Sequence, residues 1–322
     1  MNILIIGGAG FLGANLVRRC LAEPDVRVTV MDSLDPHLHA TVQNLQEVWP
    51  RIRFIRGDMR DETLLAKIVQ GQDVIFNCAA QTSHPLSIQY PLLDAEINCL
   101  GNLKLLESIR LLNSSARVIY TSSSTVIGKA RTKVVDEEHP EHPLEIYSAN
   151  KGVAEKYYRI YHTLHDLQTV VLRFANLYGP YGKGFQDFGF INYFIHLAQT
   201  DQEIKLFGSG SQTRNVLYVE DAVDLLWHAA QEPRLIGESL FATSEEHRSV
   251  CEIAETIVRV FQSGKVTHID WPEERKRIEV DHVVFSSGRI RSLIDWKPRY
   301  DLESGLRRTR EVMGNSRLKA EG

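Results

Sequence analysis

The chain reads as an α/β protein built on a doubly wound parallel sheet, followed by a smaller, discontinuous α/β region. Three observations point there: short, largely apolar runs with apolar residues on both faces, helical-period segments between them, and a glycine-rich turn directly after the first run. The runs are Ile3–Ile6, Val26–Met31, Ile52–Ile55, Val74–Asn77, Val118–Thr121 and Val170–Phe174. A strand that is apolar on both faces has to be covered on both, as helices flanking a parallel sheet do. After Asn176 the rhythm changes. Gly179, Pro180, Gly182 and Gly184 interrupt it, and Phe188–Ala198 has the spacing of a short amphipathic helix. Val216–Val219 followed by Glu220–Ala230 again reads as strand then helix, a return to the first region. The expected division is a first domain of residues 1–175 with a return at about 215–240, a second domain from 176–214 and 241–314, and a frayed tail at 315–322.

Composition narrows the function classes. Of 322 residues, 43% are hydrophobic and 24% charged, the balance of a globular chain and not of a disordered or fibrous one. Lys and Arg number 37 against 41 Asp and Glu, a net charge of -4 without a long run of one sign, so neither nucleic acid nor an anionic membrane is expected as partner. The cysteines Cys20, Cys78, Cys99 and Cys251 are widely spaced, which suits packed thiols in a reducing compartment. His139 and His142, and His162 and His165, lack the partner set of a metal site, and no metal is expected. The apolar start, Ile3–Val17, has no basic n-region before it and contains Gly7, Gly8, Gly10 and Gly13, unlike a signal peptide. No stretch approaches the ~18 apolar residues of a membrane span, and a cytoplasmic location is expected.

The turn Gly7-Gly8-Ala9-Gly10-Phe11-Leu12-Gly13 follows the first strand and opens a helix with Leu12, Leu16 and Cys20 on one face. Glycines there allow a tight turn and let the backbone and the helix N-terminus approach a pyrophosphate, whose charge the free N–H groups favour. Asp32 ends the second strand, where a carboxylate accepts hydrogen bonds from the adenosine ribose and repels a 2′-phosphate, so NAD is predicted over NADP. Asp58, in Gly57-Asp58-Met59, ends the third strand; it reaches the adenine amino group or caps a helix.

Tyr147 and Lys151 are one helical turn apart in a segment, Tyr147–Tyr161, of helical character, so both project from one face. A phenol is a poor base at its ordinary pKa of about 10, and an adjacent ammonium favours the phenolate. The hydroxyl-rich Thr121-Ser122-Ser123-Ser124-Thr125 ends the strand before it.

With these motifs, and with Asn77-Cys78-Ala79-Ala80, Asn98, Arg173-Phe174-Ala175-Asn176, Tyr178-Gly179-Pro180 and Gly208–Asp221, the sequence resembles the extended short-chain dehydrogenase/reductase family, specifically its nucleotide-sugar epimerases and dehydratases. The resemblance spans Asn2 to about Tyr300. It implies a Rossmann domain holding NAD and a smaller C-terminal domain holding a nucleoside-diphosphate sugar. By it, the cofactor is contacted by Gly7, Gly10, Phe11, Leu12, Gly13, Asp32, Asp58, Met59, Ala79, Ala80, Gln81, Asn98, Thr121, Tyr147 and Lys151. Tyr147, Lys151 and Ser123 are the implied catalytic residues, and Ser123, Ser124, Thr125, Asn176, Arg214 and Arg275 the implied substrate contacts. Arg275 competes with Lys276 and Arg277 for a diphosphate oxygen, and both Arg214 and Arg275 also read as surface ion-pair residues. Phe188, Phe190, Phe194 and Phe207 contact the substrate or pack the small domain.

Departures from the family pattern select among its reactions. The 4,6-dehydratases carry an Asp-Glu pair at the positions of Ser124 and Thr125, and the decarboxylases a Glu at that of Thr125; no such acid is present here. Epimerases that only shuttle a hydride need no second titratable group, so an NAD-dependent epimerase is expected, inverting a sugar carbinol, C4 in the first instance, with Tyr147 as base. The alternatives are a dehydratase, decarboxylase or keto-sugar reductase using Glu145 or Glu96, and a non-catalytic NAD-sensing or RNA-binding relative. The resemblance further implies a homodimer, paired through the helices containing Asp94–Leu112 and Ser148–His165.

Overall fold

A computed structural model describes residues 1–272 and 282–320. Its centre is a seven-stranded, wholly parallel sheet of β1 (Asn2–Ile6), β2 (Arg27–Asp32), β3 (Ile52–Arg56), β4 (Val74–Asn77), β5 (Arg117–Ser123), β6 (Gln168–Phe174) and β10 (Ser239–Ala242), in the order β10-β6-β5-β4-β1-β2-β3. The order reverses between β1 and β4, whose registers align Ile6 with Asn77, and the carboxyl ends of these two strands open the crevice where open α/β sheets hold their ligands.

Alternation along each strand divides the core. Ile3, Ile5, Val28, Val30, Val74 and Phe76 belong to one cluster with α1 (Phe11–Leu21) and α8 (Val219–Gln231). Leu4, Ile6, Met31, Ile75, Val118 and Tyr120 belong to the other, with α2 (Glu62–Ile68), α5 (Gly101–Leu112) and α6 (Ile146–His165). This is why the strands carry apolar residues on both faces. The first cluster continues without a break into the smaller region, through Ile191, Phe194, Leu217, Ile253 and Leu306.

That region contains two small sheets. One is β7 (Asn176–Tyr178), β9 (Thr213–Tyr218) and β11 (His247–Ser249); the other pairs β8 (Glu203–Phe207) with β12 (Lys265–Ile269). The chain's return to the large sheet differs from the expectation at Val216. β9 is paired on both edges by β7 and β11, so it has no edge to offer the large sheet; α8, packed on α1, and then β10 make the return. The amphipathic helix expected at Phe188–Ala198 is α7, Phe190–Gln199. The final helix runs Leu302–Ala320, past Asn315, where fraying was expected. Among the described residues no helix is long and apolar enough to cross a membrane.

One ion-pair cluster ties the sheet to α6. Arg173, on β6 and 6% exposed, donates to Glu155 of α6 (Nη2 to Oε2, 2.6 Å) and to Glu141 (Nη2 to Oε1, 2.8 Å). Removing one partner of such a buried pair strands a charge, whereas replacing both by apolar groups is far better tolerated. Glu155→Ala is therefore expected to lower the unfolding free energy in urea by about 3–5 kcal/mol, and the double substitution Arg173→Met/Glu155→Leu to recover most of that loss.

Candidate active site

A cavity of about 1050 Å³ opens along the carboxyl ends of β1, β4 and β5 and is closed on its far side by residues of the smaller region. Its floor is the glycine turn. Gly7 has φ +78°, and a Cβ there would lie 2.6 Å from the Ala79 nitrogen; a Cβ on Gly13 would lie 2.3 Å from the Gly7 carbonyl oxygen. The turn is thus pressed against β4 on one side and α1 on the other, with Gly10 preceding α1 and no acidic side chain in the helix's first turn. A backbone cradle of this kind, open at a helix N-terminus, suits a pyrophosphate. Gly10, Phe11, Leu12, Ala79 and Ala80 line the same floor.

At one end Asp32, 6% exposed, accepts from the Ala9 N–H (3.0 Å) and the Leu34 N–H (2.9 Å). Burial pushes its carboxyl above the usual range, opposed by those two N–H groups and by Lys183. Asp58 and Met59 line the cavity nearby. Burial works to raise the Asp58 carboxyl too, but a two-pronged pairing with Arg60 (2.8 and 3.0 Å) holds it below the usual range. Glu96 pairs at 3.1 Å with Arg60, which lines the cavity, but is itself exposed and outside the lining. Over this end lies a strap, residues 181–189. Phe185 stacks on His39 at 3.9 Å, and the half-buried Lys183 sits 4.4 Å from the centre of the Phe188 ring. Burial lowers the Lys183 ammonium to about 8, with Asp32 opposing.

The middle of the cavity brings Thr121, Ser123, Ser124, Thr125, Tyr147 and Lys151 together. α6 begins at Ile146, so Tyr147 and Lys151 lie on its inner face over the end of β5, 8% and 2% exposed. Lys151 Nζ donates to the Thr121 carbonyl oxygen (2.6 Å) and stands 4.3 Å from the centre of the Tyr120 ring. Burial lowers the ammonium to about 8, resisted by Glu155, Cys78 and Asp94. In the protein alone, burial raises the Tyr147 phenol above its ordinary value, Ser123 opposes this, and Glu145 and Asp94 add to it.

Gln81 and Asn98 do not line the cavity. Both are buried behind it, where Asp94, itself fully buried, accepts from Gln81 Nε2 (2.8 Å), Asn98 Nδ2 (3.0 Å) and Asn150 Nδ2 of α6 (2.8 Å). Asn98 Oδ1 also accepts from the Gln81 N–H at 3.1 Å. The two amides therefore fix the loop after β4 from behind the cavity. Asp94 carries no motif and was not singled out in the sequence. His84 was also missed: it lines the cavity, its ring 4.9 Å from that of Tyr147, and is hydrogen-bonded to Glu145.

On the opposite wall, Asn176 and Arg214 line the cavity; Asn176 Nδ2 donates to the Asn215 carbonyl oxygen (2.9 Å) and Arg214 Nη1 to that of Thr213 (2.9 Å). Arg275, with Lys276 and Arg277, lies outside the described residues. Phe188 and Phe190 line the cavity, whereas Phe194 is core and Phe207 packs on Trp271 at 5.3 Å. Ser122 lines it with a buried hydroxyl that has no hydrogen-bond partner among the described residues. Among those residues no three His, Cys, Asp or Glu side chains converge as a metal would need.

The model of the NAD dependent epimerase/dehydratase family matches residues 3–240. A UDP-glucose 4-epimerase of Mycolicibacterium smegmatis is 30% identical over 98% of this chain and 99% of its own. The structure of an epimerase from Methanothermobacter thermautotrophicus superposes with a TM-score of 0.89 at 28% identity, covering 100% of this chain and 94% of the other. The UDP-glucose 4-epimerase of Thermotoga maritima, solved with UDP-glucose, gives a TM-score of 0.88 at 25% identity, covering 98% and 99%.

The buried lysine has a measurable consequence. With an ordinary value of 10.5 brought down to about 8, Lys151 binds a proton in the unfolded chain that the folded chain has given up across that window. Its contribution to stability therefore rises with pH there, by about 2 kcal/mol between pH 8 and 10. Urea denaturation across this range is expected to give a rise in stability smaller by about 2 kcal/mol in Lys151→Met than in the unaltered protein, with Lys183, likewise brought down to about 8, contributing to both.

Proposed function

The chain belongs to the NAD dependent epimerase/dehydratase family, and we propose that it is a nucleotide-sugar epimerase that inverts a carbinol carbon, C4 in the first instance, by transient oxidation. The observation that carries this reading is the convergence of Tyr147, Lys151 and Ser123 on one cavity whose Ser124 and Thr125 hold no carboxyl group. The glycine turn, Ala79 and Ala80 would hold the dinucleotide's diphosphate, Asp32 its adenosine ribose and Lys151 its nicotinamide ribose. NAD, when bound, supplies the reversible two-electron acceptor and a positive charge beside the phenol.

The side chains of the protein do the rest. Ser123 hydrogen-bonds the reacting hydroxyl and aligns it with Tyr147, which takes its proton as the alcohol becomes a ketone and returns it afterwards. Lys151 stabilises the phenolate while it lasts. Asn176 and Arg214 hold the sugar's diphosphate, an Arg fork matching phosphate geometry, so that the keto sugar turns about that anchor and presents its other face. In this division the large-sheet region grips the dinucleotide and the smaller region the nucleotide sugar.

A second reading, dehydration by the same family, is favoured by one observation: Glu145 lines the cavity next to Tyr147. Incubation with UDP-, CDP-, GDP- and dTDP-sugars, followed by mass spectrometry and NMR, separates the two. The epimerase reading expects a product of unchanged mass and no build-up of reduced cofactor; loss of water supports dehydration. Tyr147→Phe is expected to lower kcat by about 10²–10⁴-fold, and full turnover by that variant would overturn the mechanism.

A homodimer forms part of this reading. Leu100, Leu111, Val153, Ile160 and Leu164 are exposed apolar residues on the paired helical layer of α5 and α6, the kind of face that a second copy covers. Light scattering at micromolar concentration is expected to give twice the chain mass, and Ile160→Glu/Leu164→Glu to give the monomer.

A further inference from the structure

The Asp32 end of the cavity is rich in carboxylates and poor in free cations. Asp32, Asp35 and Asp58 line it, and the strap adds Asp187 and Lys183. Of the two cations there among the described residues, Arg60 is committed to Asp58 (2.8 and 3.0 Å) and to Glu96 (3.1 Å). Lys183 makes no hydrogen bond or ion pair among the described residues and faces the Phe188 ring at 4.4 Å.

The strap's own anchors hold this lysine in place. Asn15 of α1 donates to the Pro180 carbonyl oxygen (3.0 Å) and Arg18 lies over the Tyr181 ring (4.0 Å). His39, in the loop after β2, stacks on Phe185 (3.9 Å) and meets Phe188 edge-on (5.2 Å). Lys183 falls between these anchors along the chain and is half-buried. Taking an ammonium out of water without an acceptor is unfavourable, and a ring face offsets only part of that. Burial accordingly brings it down to about 8, with the field of Asp32 opposing, so the two charges are close without being paired. A ribose phosphate carries partners for both: hydroxyls that donate to a carboxylate, and oxygens that accept from an ammonium.

We propose that Lys183 is a cofactor-binding residue supplied by the smaller region, its ammonium donating to an oxygen of the adenosine ribose phosphate of NAD while Asp32 accepts from the ribose hydroxyls. The inference rests on the placement of NAD given above and not on the reaction of the sugar. It adds to the division proposed there, because the smaller region then grips the dinucleotide as well. A cavity end lined by carboxylates repels the phosphates of its own ligand, and Lys183 is the charge that offsets this.

Isothermal titration calorimetry on the full chain, freed of any nucleotide that copurifies, tests this with NAD and with ADP-ribose and needs no sugar. Lys183→Met keeps an unbranched apolar stem against Phe188. It is expected to raise the Kd of both ligands about tenfold and by the same factor, the loss of one charge-assisted hydrogen bond. Lys183→Arg returns a cation and is expected to bring both back to within about threefold of the unaltered protein. Unchanged affinities in Lys183→Met, a loss for NAD alone, or a loss that Lys183→Arg does not recover would each overturn the inference. Asp32→Asn checks the placement and is expected to weaken both ligands. If it does so and Lys183→Met does not, the placement stands and the inference falls; if it leaves both ligands unchanged, the dinucleotide lies elsewhere and both fall. Failure of the epimerase reading shows instead in the sugar assays and moves none of these affinities.

Discussion

The site depends on keeping one ammonium out of water. Lys151 reaches the carboxyl end of β5 from α6, donates to the Thr121 carbonyl oxygen at 2.6 Å and stands over the Tyr120 ring. Burying a cation carries a desolvation cost that only a fixed partner and a nearby countercharge offset, and here a backbone oxygen and the field of Glu155 and Asp94 supply them. Because the oxygen belongs to the sheet and the lysine to the helix, the same contact sets the height at which Tyr147 stands above the strand ends. Arg173 and Glu155 repeat the arrangement one turn further along α6, so the helix is held to the sheet by two buried cations.

Much of this was legible in the residues because it rests on periodicity. Both faces of β1, β2 and β4 are apolar since α1 and α8 cover one and α2, α5 and α6 the other, and a period of 3.6 puts Tyr147 and Lys151 on one face of α6. The glycines at 7 and 13 were legible for a steric reason, the absence of room for a Cβ. What did not show were contacts between side chains distant in sequence. Asp94 sits in a short helical segment without pattern, and only the fold reveals that Gln81, Asn98 and Asn150 converge on it. His84 pairs with a carboxylate 61 positions away. For a related cause, spacing brings the Lys151 ammonium to the same helix face as Tyr147 but says nothing of the Thr121 carbonyl that binds it or of the burial that works against ionising the phenol.

The two amides assigned to the cofactor illustrate how a motif residue serves a site from behind. The Asn98 side chain satisfies both the N–H and the carbonyl of Gln81, and the two amides share a buried carboxylate, so the loop bearing Ala79 and Ala80 is fixed by groups behind the cavity. Fixing such a loop through buried hydrogen bonds makes it stiff, since each broken bond leaves a polar group unpaired away from water.

The strap joins the two halves mechanically. Asn15, within the first turns of α1, donates to the Pro180 carbonyl oxygen at 3.0 Å, and Arg18 lies over the Tyr181 ring at 4.0 Å. Further along, Phe185 lies on His39. These contacts clasp the smaller half at two points, the helix whose N-terminus borders the glycine turn and the loop that follows β2, so that end of the cavity is built jointly by both halves.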